Sequence, residues 1–531
     1  MRQTPSSFQV LRNIDFRRIW TTSIFAHFGN WVLTVTAAWS MTTMTDDPTM
    51  IALVQTAIFI PYLLFGLIAG TLADIFDRRL IIISSLSFRM LLATLLAVLS
   101  TLGALSPFGL LSLCFLFGIG GIAFAPAWQT SISEQVLPGE ISHAIALNSI
   151  SFNIARSIGP ALGGIIVAAM GTLVAFFTTV ISNIPVLIAV FLWKPIRSKI
   201  TAPRERFWDG VGACIRYITH TPSLKNTLIR GFVLGVSGGI FAAFAPMVAK
   251  ESLAGGAGVY GLLLTGLGAG AIIGALLVTK LQSTIKPENI LGLAAIGCAG
   301  ASAIIAVSSS LVVNLSAFFI AGTCFTASVA LINISVQVCT PNWVNARALS
   351  AFQSLIAGGA ALGASLWGST ASQFSLATAF FMASFLFLLS TLLRFTNPVA
   401  DIPSRPMETP KDITYKYPND FLPLETGPII VEIHYHVSQA VELPFLSLMK
   451  KMKAVRLRNG ARSWTLSHDV EESSRWIQSY IFPTWRDLLH FRSRRSKDEI
   501  TLIEEIQELL EGCGSPDIHV RLRTDLSTPF S

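Results

Sequence analysis

Arg89 and Arg156 stand deep inside long apolar runs of this 531-residue chain. An ionised side chain near the centre of a membrane helix costs about 2.5–3.5 kcal/mol on insertion scales, so an arginine kept there is a functional candidate by default. Arg230 and Lys250 lie nearer the ends of such runs, where long side chains snorkel to the headgroups. His27 is the titratable group of the first run suited to physiological pH, either as a proton-coupling candidate or as a hydrogen-bonded packing residue. Amides lie in or beside the same runs: Asn30, Gln55, Asn148, Asn153, Asn183, Asn333, Gln337 and Gln353, with Trp31, Trp39 and Trp128. Any one of them can serve as interhelical glue. As a set, Asn30, Gln55, Asn148, Asn153, Asn333 and Gln337 with the two arginines suit binding of an amphipathic, anionic or catecholate-like small molecule.

Catalysis is not expected. The six cysteines (Cys114, Cys214, Cys298, Cys324, Cys339, Cys513) show no metal or redox spacing and read as small apolar side chains. There is no Gly-x-x-x-x-Gly-Lys-Ser/Thr loop, so ATP is not the direct energy source. Neither a metal nor a cofactor is called for.

The elements that must position these residues follow from composition. Apolar residues make up 52% of the chain and charged residues 13%, against roughly 25% charged in soluble domains. Mean hydropathy is +0.61. Lys and Arg outnumber Asp and Glu by 21 to 11 over residues 1–396, and are outnumbered 17 to 19 over 397–531. That is a membrane protein with a soluble tail, and the basic balance belongs to loops rather than to a nucleic-acid face. A spanning helix needs about 20 mostly apolar residues, because lipid leaves no partner for exposed backbone groups. Twelve runs qualify, at 19–42, 50–70, 80–102, 107–129, 144–168, 172–193, 228–250, 257–279, 288–308, 311–335, 349–369 and 373–395. Breaks fall at Asp46-Asp47-Pro48, Asp74 to Arg79, Ser106-Pro107, Leu137 to Glu140 and Gly171. Residues 1–18 are polar and the first run is long enough to span, so no cleavable signal is expected.

Loop charge sets orientation. Arg2, Arg12, Arg17 and Arg18 precede the first run, Arg78 and Arg79 follow the second, Lys280 and Lys286 follow the eighth, and Arg347 follows the tenth. The central stretch 194–227 carries Lys194, Arg197, Lys199, Arg204, Arg206, Arg216 and Lys225. Lys250 is the one basic residue on the opposite side. Positive residues collect in the cytoplasm, which puts both termini there. Two six-helix halves joined by a basic linker suit a transporter built from structural repeats. Gly66 to Gly70 and Gly270 to Gly274 echo one another and permit close helix approach.

Gly70-Thr71-Leu72-Ala73-Asp74-Ile75-Phe76-Asp77-Arg78-Arg79 resembles the second–third loop motif of the major facilitator superfamily, with Asp77 where the commonest version has Gly. The resemblance implies a latch between the halves involving Gly70, Asp74, Arg78 and Arg79. Gly159-Pro160-Ala161-Leu162-Gly163-Gly164 resembles the fifth-helix motif of antiporter and exporter branches, and implies a gating role for Gly159, Pro160, Gly163 and Gly164. At 100° per residue, Arg156 and Gly163 lie within about 20° of each other on that helix. Leu11 to Trp20, Ala144 to Ser149 with Asn153 to Gly164, and Val336 to Arg347 are similar to the enterobactin-exporter-like branch, and coverage extends over nearly all of 10–396. Two departures matter. The first run reads Phe28-Gly29-Asn30 where relatives often have Gly-Asp, which removes a candidate proton carrier, and Asn345 stands where Arg is common.

The expected organisation is 1–193 for the first half, 194–227 for a cytoplasmic linker with an amphipathic helix, 228–396 for the second half, 397–427 for a Pro-rich linker and 428–531 for a soluble α+β domain. In the tail, 429–437 alternates as a strand, 438–453 is helical, and 454–469 reads as two strands about Asn459-Gly460. Glu471 to Tyr480 and Ile500 to Leu510 are expected as helices. The layout resembles the ferredoxin-like tail of this transporter branch, a candidate for self-association. His434 and His436 share a strand face and read as exposed. Lys450, Lys451, Lys453, Arg456 and Arg458, with Arg492, Arg494, Arg495 and Lys497, read as solvated faces within reach of anionic lipid.

The whole reads as an all-α membrane protein of major facilitator fold with a small α+β domain. It is expected in a bacterial cytoplasmic membrane, with lipid, a small-molecule substrate and protons as partners and no nucleic acid. Export by alternating access is the leading function, siderophore-like or drug-like in cargo, with proton antiport implied by the resemblance alone. An uptake carrier of the same fold and a sensor or scaffold acting through the tail are the alternatives.

Overall fold

The computed structural model describes residues 7–137, 140–193, 207–399, 422–472, 474–493, 497–511 and 516–523. Gly70 and the side chains of Asp74, Asn153, Arg494, Arg495 and Lys497 lie outside the described residues, as do residues 194–206 of the first linker, most of the second linker and Cys513. A short 3-10 turn, Ser7–Arg12, leads into α1 (Ile14–Met44), α2 (Pro48–Ile75), α3 (Arg78–Thr101), α4 (Pro107–Gln135) and α5 (Ile141–Leu192). After α6 (Phe207–Thr219) come α7 (Pro222–Met247), a π-helical turn at Val248–Ser252, α8 (Ala257–Leu281), α9 (Pro287–Val307), α10 (Leu311–Val338), α11 (Asn342–Gln373), α12 (Leu376–Ser390) and α13 (Leu393–Thr396).

The residues that interrupt the apolar runs act as caps. Asp47 accepts the amide of Thr49 ahead of Pro48, and Ser106 accepts that of Gly109 ahead of Pro107. An N-cap oxygen followed by proline at the first helical position satisfies one orphan donor and removes another. Asn13, Asp77 and Ser375 cap α1, α3 and α12 through a side-chain oxygen alone, with no proline following. The 52-residue α5 is two helices joined at Gly171, whose φ of +83° is open to glycine and strained for other residues. Among the described residues ten helices are long and apolar enough to cross a membrane.

The tail holds β1 (Ile429–His436), α14 (Glu442–Arg458), β2 (Arg462–His468), β3 (Arg475–Phe482), α15 (Trp485–Ser493), α16 (Lys497–Leu509) and β4 (Asp517–Leu522). Its antiparallel sheet has the order β2-β3-β1-β4, with β1 paired to both β3 and β4. Ile429, Val431, Ile433 and Tyr435 face a core closed by Phe445, Met449 and Met452 of α14 and by Leu488, Phe491, Leu502 and Ile506.

Two tail expectations are corrected. Residues 454–458 continue α14, so Asn459-Gly460 turns a helix into β2, with Gly460 at φ +114°, and does not join two strands. The expected helix at 471–480 is strand β3, because Gln478, Tyr480 and Phe482 alternate inward with period two. Arg456 and Arg458 are buried rather than solvated. Arg456 pairs with Glu499 at 2.5 Å, both nearly inaccessible, and its guanidinium lies 5.3 and 5.4 Å from the Tyr480 and Phe491 rings. Asn459 donates to the second Glu499 oxygen at 2.9 Å.

The chain forms two compact units. The first comprises Met1–Phe207, Asn226–Val336 and Leu349–Asp401; the second comprises Trp208–Lys225, Gln337–Ala348 and Ile402–Ser531. The second unit therefore joins most of α6 and the α10–α11 connection to the tail. In it, Tyr217 of α6 donates to the Cys339 carbonyl at 3.1 Å, and the Arg458 guanidinium sits 5.3 Å from the Tyr217 ring. The apolar face of α6 is thus covered by protein.

Removing one partner of a buried ion pair leaves an uncompensated charge, at a cost of about 3–5 kcal/mol. Glu499→Leu should accordingly make the tail protease-sensitive in the full chain while the membrane helices stay protected. Equal sensitivity of variant and parent would show that the pair contributes nothing to stability.

Candidate functional site

Arg89 lies near the middle of α3. Its methylenes pack against Gly120 of α4, where a Cβ would come within 2.6 Å. Its guanidinium lies 4.2 Å from the Phe117 centroid and 5.9 Å from Phe124. A cation over an aromatic face is attracted by the ring quadrupole, most strongly where water is excluded. Phe124 stacks on Trp128 at 5.2 Å, and Trp128 meets His27 edge-on at 6.4 Å. His27 meets Phe152 at 5.4 Å, and the Trp128 indole donates to Asn148 Oδ1 at 3.1 Å. Tyr62 of α2 lies within electrostatic reach of Arg89 and against Gly121. Helices α1 to α5 thus converge on one aromatic box containing a cation, an imidazole and an amide. Arg89 Nε and His27 Nε2 are buried without a hydrogen-bond partner.

Three of the sequence candidates, His27, Arg89 and Asn148, are brought together here. Sequence reasoning missed Tyr62, Phe117, Phe124 and Phe152. A signal was present for two of them: Phe117, Phe124 and Trp128 recur with Gly121 at helical spacing and so share one face of α4.

Arg156 stands elsewhere, at the seam between the helices before α6 and those after it. Its guanidinium donates to Thr326 Oγ1 of α10 at 2.8 Å. Ser157 beside it donates to the Gly268 carbonyl of α8 at 2.9 Å. Further along α5, a Cβ on Gly164 would come within 2.7 Å of both the Gly261 Cα and the Ala257 carbonyl. Gly159 and Gly163 admit Trp31 and Val32 of α1 at similarly short range. The Gly-Pro segment is therefore one place where α5 closely approaches α1 and α8.

The seam continues on other elements. Gln55 is buried in α2 beside Thr56, whose hydroxyl reaches the Ala361 carbonyl and Ser365 of α11, both at 2.9 Å. Trp39 stacks on Tyr260 at 6.2 Å, and Lys250 donates to Asp46 and to the Thr42 carbonyl, each at 2.8 Å. That ammonium holds the exposed Asp46 carboxyl below the usual carboxylate range. Asn30 and Asn333 are half-buried in α1 and α10, and Gln337 is exposed and belongs to the second unit.

Arg78 and Arg79 hold one end of the N-terminal helices together. Arg78 pairs with Glu134 of α4, and Arg79 donates to the Val190 carbonyl at 3.1 Å and to that of Phe191. Arg230 does not snorkel. It is 8% exposed, pairs with Glu288 at 2.9 Å and donates through Nε to the Asn397 carbonyl at 2.8 Å.

In the tail, His436 is exposed but His434 is half-buried, and carboxylates lie near both, Glu432 at 4.0 Å from His434 and Glu472 at 3.6 Å from His436. Burial and the Arg475 guanidinium, 2.7 Å from Nδ1, lower the His434 pKa. An imidazole ring nitrogen engaged by arginine is poorly placed to ligate a cation. Among the described residues no trio of His, Cys, Asp or Glu forms a metal site.

Comparison with known proteins agrees with this architecture. A staphyloferrin A transporter of Staphylococcus aureus is 24% identical over 51% of this chain and 68% of its own length. The multidrug efflux pump Tap of Mycolicibacterium fortuitum is 23% identical over 69% of this chain and 91% of its own. A bacterial homolog of the human lysosomal transporter Spinster, solved inward-facing and unoccupied, superposes with a TM-score of 0.56 at 15% identity, covering 73% of this chain and 95% of that one. The profile of the family described as transmembrane secretion effector matches residues 5–528. The chain belongs to that family of the major facilitator superfamily: it is a multi-pass membrane transporter, not an enzyme.

Proposed function

We propose that the protein exports a small, flat, anionic amphipathic molecule across a bacterial cytoplasmic membrane by alternating access. Counting α1 and the two parts of α5 as spans gives twelve crossings, with both termini and the arginine-rich ends in the cytoplasm. The observation that carries the reading is the Arg89 box. It offers a cation, aromatic faces and buried donors without partners, the features that bind an aromatic carboxylate or catecholate. Arg156 adds positive charge where the two helix groups meet, so cargo bound there would be sensed by both.

The seam supplies the moving parts. Close glycine contacts along α5 and α8 let one group rock on the other, while Lys250 and Asp46 fasten the end opposite the arginine-rich loops. Gly70, Asp74, Arg78 and Arg79 would latch the other end in the alternate state. His27, buried in the box with an unpartnered nitrogen, is the candidate for coupling to protons, since Asn30 carries none. Relatives named for siderophore transport and multidrug efflux support a siderophore-like or drug-like cargo.

A second reading makes the tail the active part. It is favoured by the junction of the tail, a ferredoxin-like βαββααβ unit, with α6 and the α10–α11 connection. Transport retained after deletion of residues 400–531, in protein that reaches the membrane normally, is the expected outcome. Loss of all flux in that variant would favour the tail.

Proteoliposomes loaded with a pH dye and offered siderophores or lipophilic drugs test the first reading directly. One anionic aromatic class should drive proton movement. Removing a charged hydrogen-bonding group at a binding site weakens transition-state or ground-state binding by about 1.5–3 kcal/mol, so Arg89→Gln should lower kcat/KM for transport at least tenfold. Arg156→Gln should slow turnover. Normal transport by both variants at normal membrane levels would sink the assignment.

Lys250→Gln removes the Asp46 contact, so cysteines placed at Thr43 should react faster with impermeant thiol reagents applied from outside. An unchanged labelling rate would remove Lys250 from the gate.

A further inference from the structure

Away from the Arg89 box and the seam, a cavity of about 630 Å³ opens among α7, α9, α10, α12 and α13. Two arginines line it. Arg230 is more than nine-tenths buried and has two of its three guanidinium nitrogens occupied, Nη1 by Glu288 and Nε by the Asn397 carbonyl; Nη2 is buried with no partner. Arg394 is exposed, with its guanidinium 5.5 Å from the Phe395 ring, and lies within electrostatic reach of Arg230. The Glu288 carboxylate is ion-paired with Arg230 through Oε2 and accepts the Val399 amide through Oε1 at 2.6 Å. The two arginines and Glu288 that line the cavity therefore leave it a net single positive charge among the described residues.

The rest of the lining fits the same ligand. Leu293, Ile296 and Phe395 are large apolar side chains left exposed on the outer surface of the helices, where acyl chains lie. Arg394 closes the last apolar run, at headgroup depth. Basic pockets between membrane helices recognise anionic lipid heads, and arginine binds phosphate oxygens with two parallel donors. A substrate route would require a cavity facing the helix seam; this one faces the exposed apolar surface.

We infer that this cavity is a binding site for one anionic phospholipid, with the phosphodiester between Arg230 Nη2 and Arg394 and the chains along Leu293, Ile296 and Phe395. A monoanionic headgroup neutralises the site, whereas a zwitterionic one leaves its net charge unchanged. The site ties α7, α9 and the end of α12 to the bilayer, and rests on membrane embedding alone, independent of cargo or direction.

Native mass spectrometry of the full chain, delipidated in detergent and titrated separately with phosphatidylglycerol, phosphatidylethanolamine and inorganic phosphate, tests the assignment. Wild type should hold one phosphatidylglycerol in preference to phosphatidylethanolamine. Arg394→Gln, on an exposed side chain that the fold does not need, should weaken that binding about tenfold, or 1.4 kcal/mol. Arg18→Gln, an exposed arginine at the start of α1, should leave it unchanged. Equal retention of the two lipids, equal loss in both variants, or no loss in Arg394→Gln would overturn the site. Displacement of the lipid by millimolar phosphate would overturn the lipid as its occupant.

Discussion

A guanidinium inside an apolar helix bundle cannot be solvated by water, so the surrounding protein has to supply what water would. Three arginines of the membrane unit, the half-buried Arg89 and Arg156 and the buried Arg230, are answered in three different ways. Arg89 is met by aromatic faces, Arg156 by a hydroxyl from the opposite helix group, and Arg230 by a carboxylate and a carbonyl. Each answer draws helices together that are far apart in sequence. The arrangement of α1 to α5 around Phe124 and Trp128, and the contact of α5 with α10, are therefore consequences of placing charge where lipid would otherwise be.

The same constraint governs smaller polar groups. Thr36, Ser40, Thr94, Thr178, Ser335 and Thr370 each return a hydroxyl bond to a carbonyl four residues back. Those groups are satisfied locally and leave helix faces smooth. Where a hydroxyl instead crosses to another helix it ties helices together, within a group as Thr179 and Ser384 do, or across the seam as Thr56 and Ser157 do. Glycine serves that seam by absence of bulk, since Gly164 and Gly261 bring two backbones together at a separation that a methyl group would not fit. Rigid groups joined by a smooth, closely packed seam are what rocking motion between halves requires.

The tail obeys a different solvent. Its core comes from period-two alternation in β1 and β3 against α14 to α16, and its buried ion pair is surrounded by aromatic rings. Arg456 and Glu499 lie on different helices, so neither side chain's neighbourhood can be read from local pattern. Cys298 and Cys324 make the same point in the membrane unit. Nothing in their spacing suggests proximity, yet α10 packs on α9 here, Cys298 Sγ donating to the Ala321 carbonyl at 3.9 Å and Cys324 lying against Gly297.

What the sequence alone determined is what lipid and water enforce locally. The membrane character, the existence of most helices and the breaks at Asp47, Ser106 and Gly171 were all legible, because length, hydropathy and capping chemistry act within a few residues. His27, Arg89 and Asn148 were legible as candidates, because a polar group in an apolar run is conspicuous wherever its partners lie. Only the tertiary structure decided that these three share one box, that Arg156 belongs to the seam and that Arg230 is paired rather than snorkelling. It also decided β3 over a helix, since the neighbouring strand supplies the backbone partners that a lone segment cannot. Partners separated by tens to hundreds of residues are chosen by packing, and packing energy belongs to the assembled core, not to any stretch of chain.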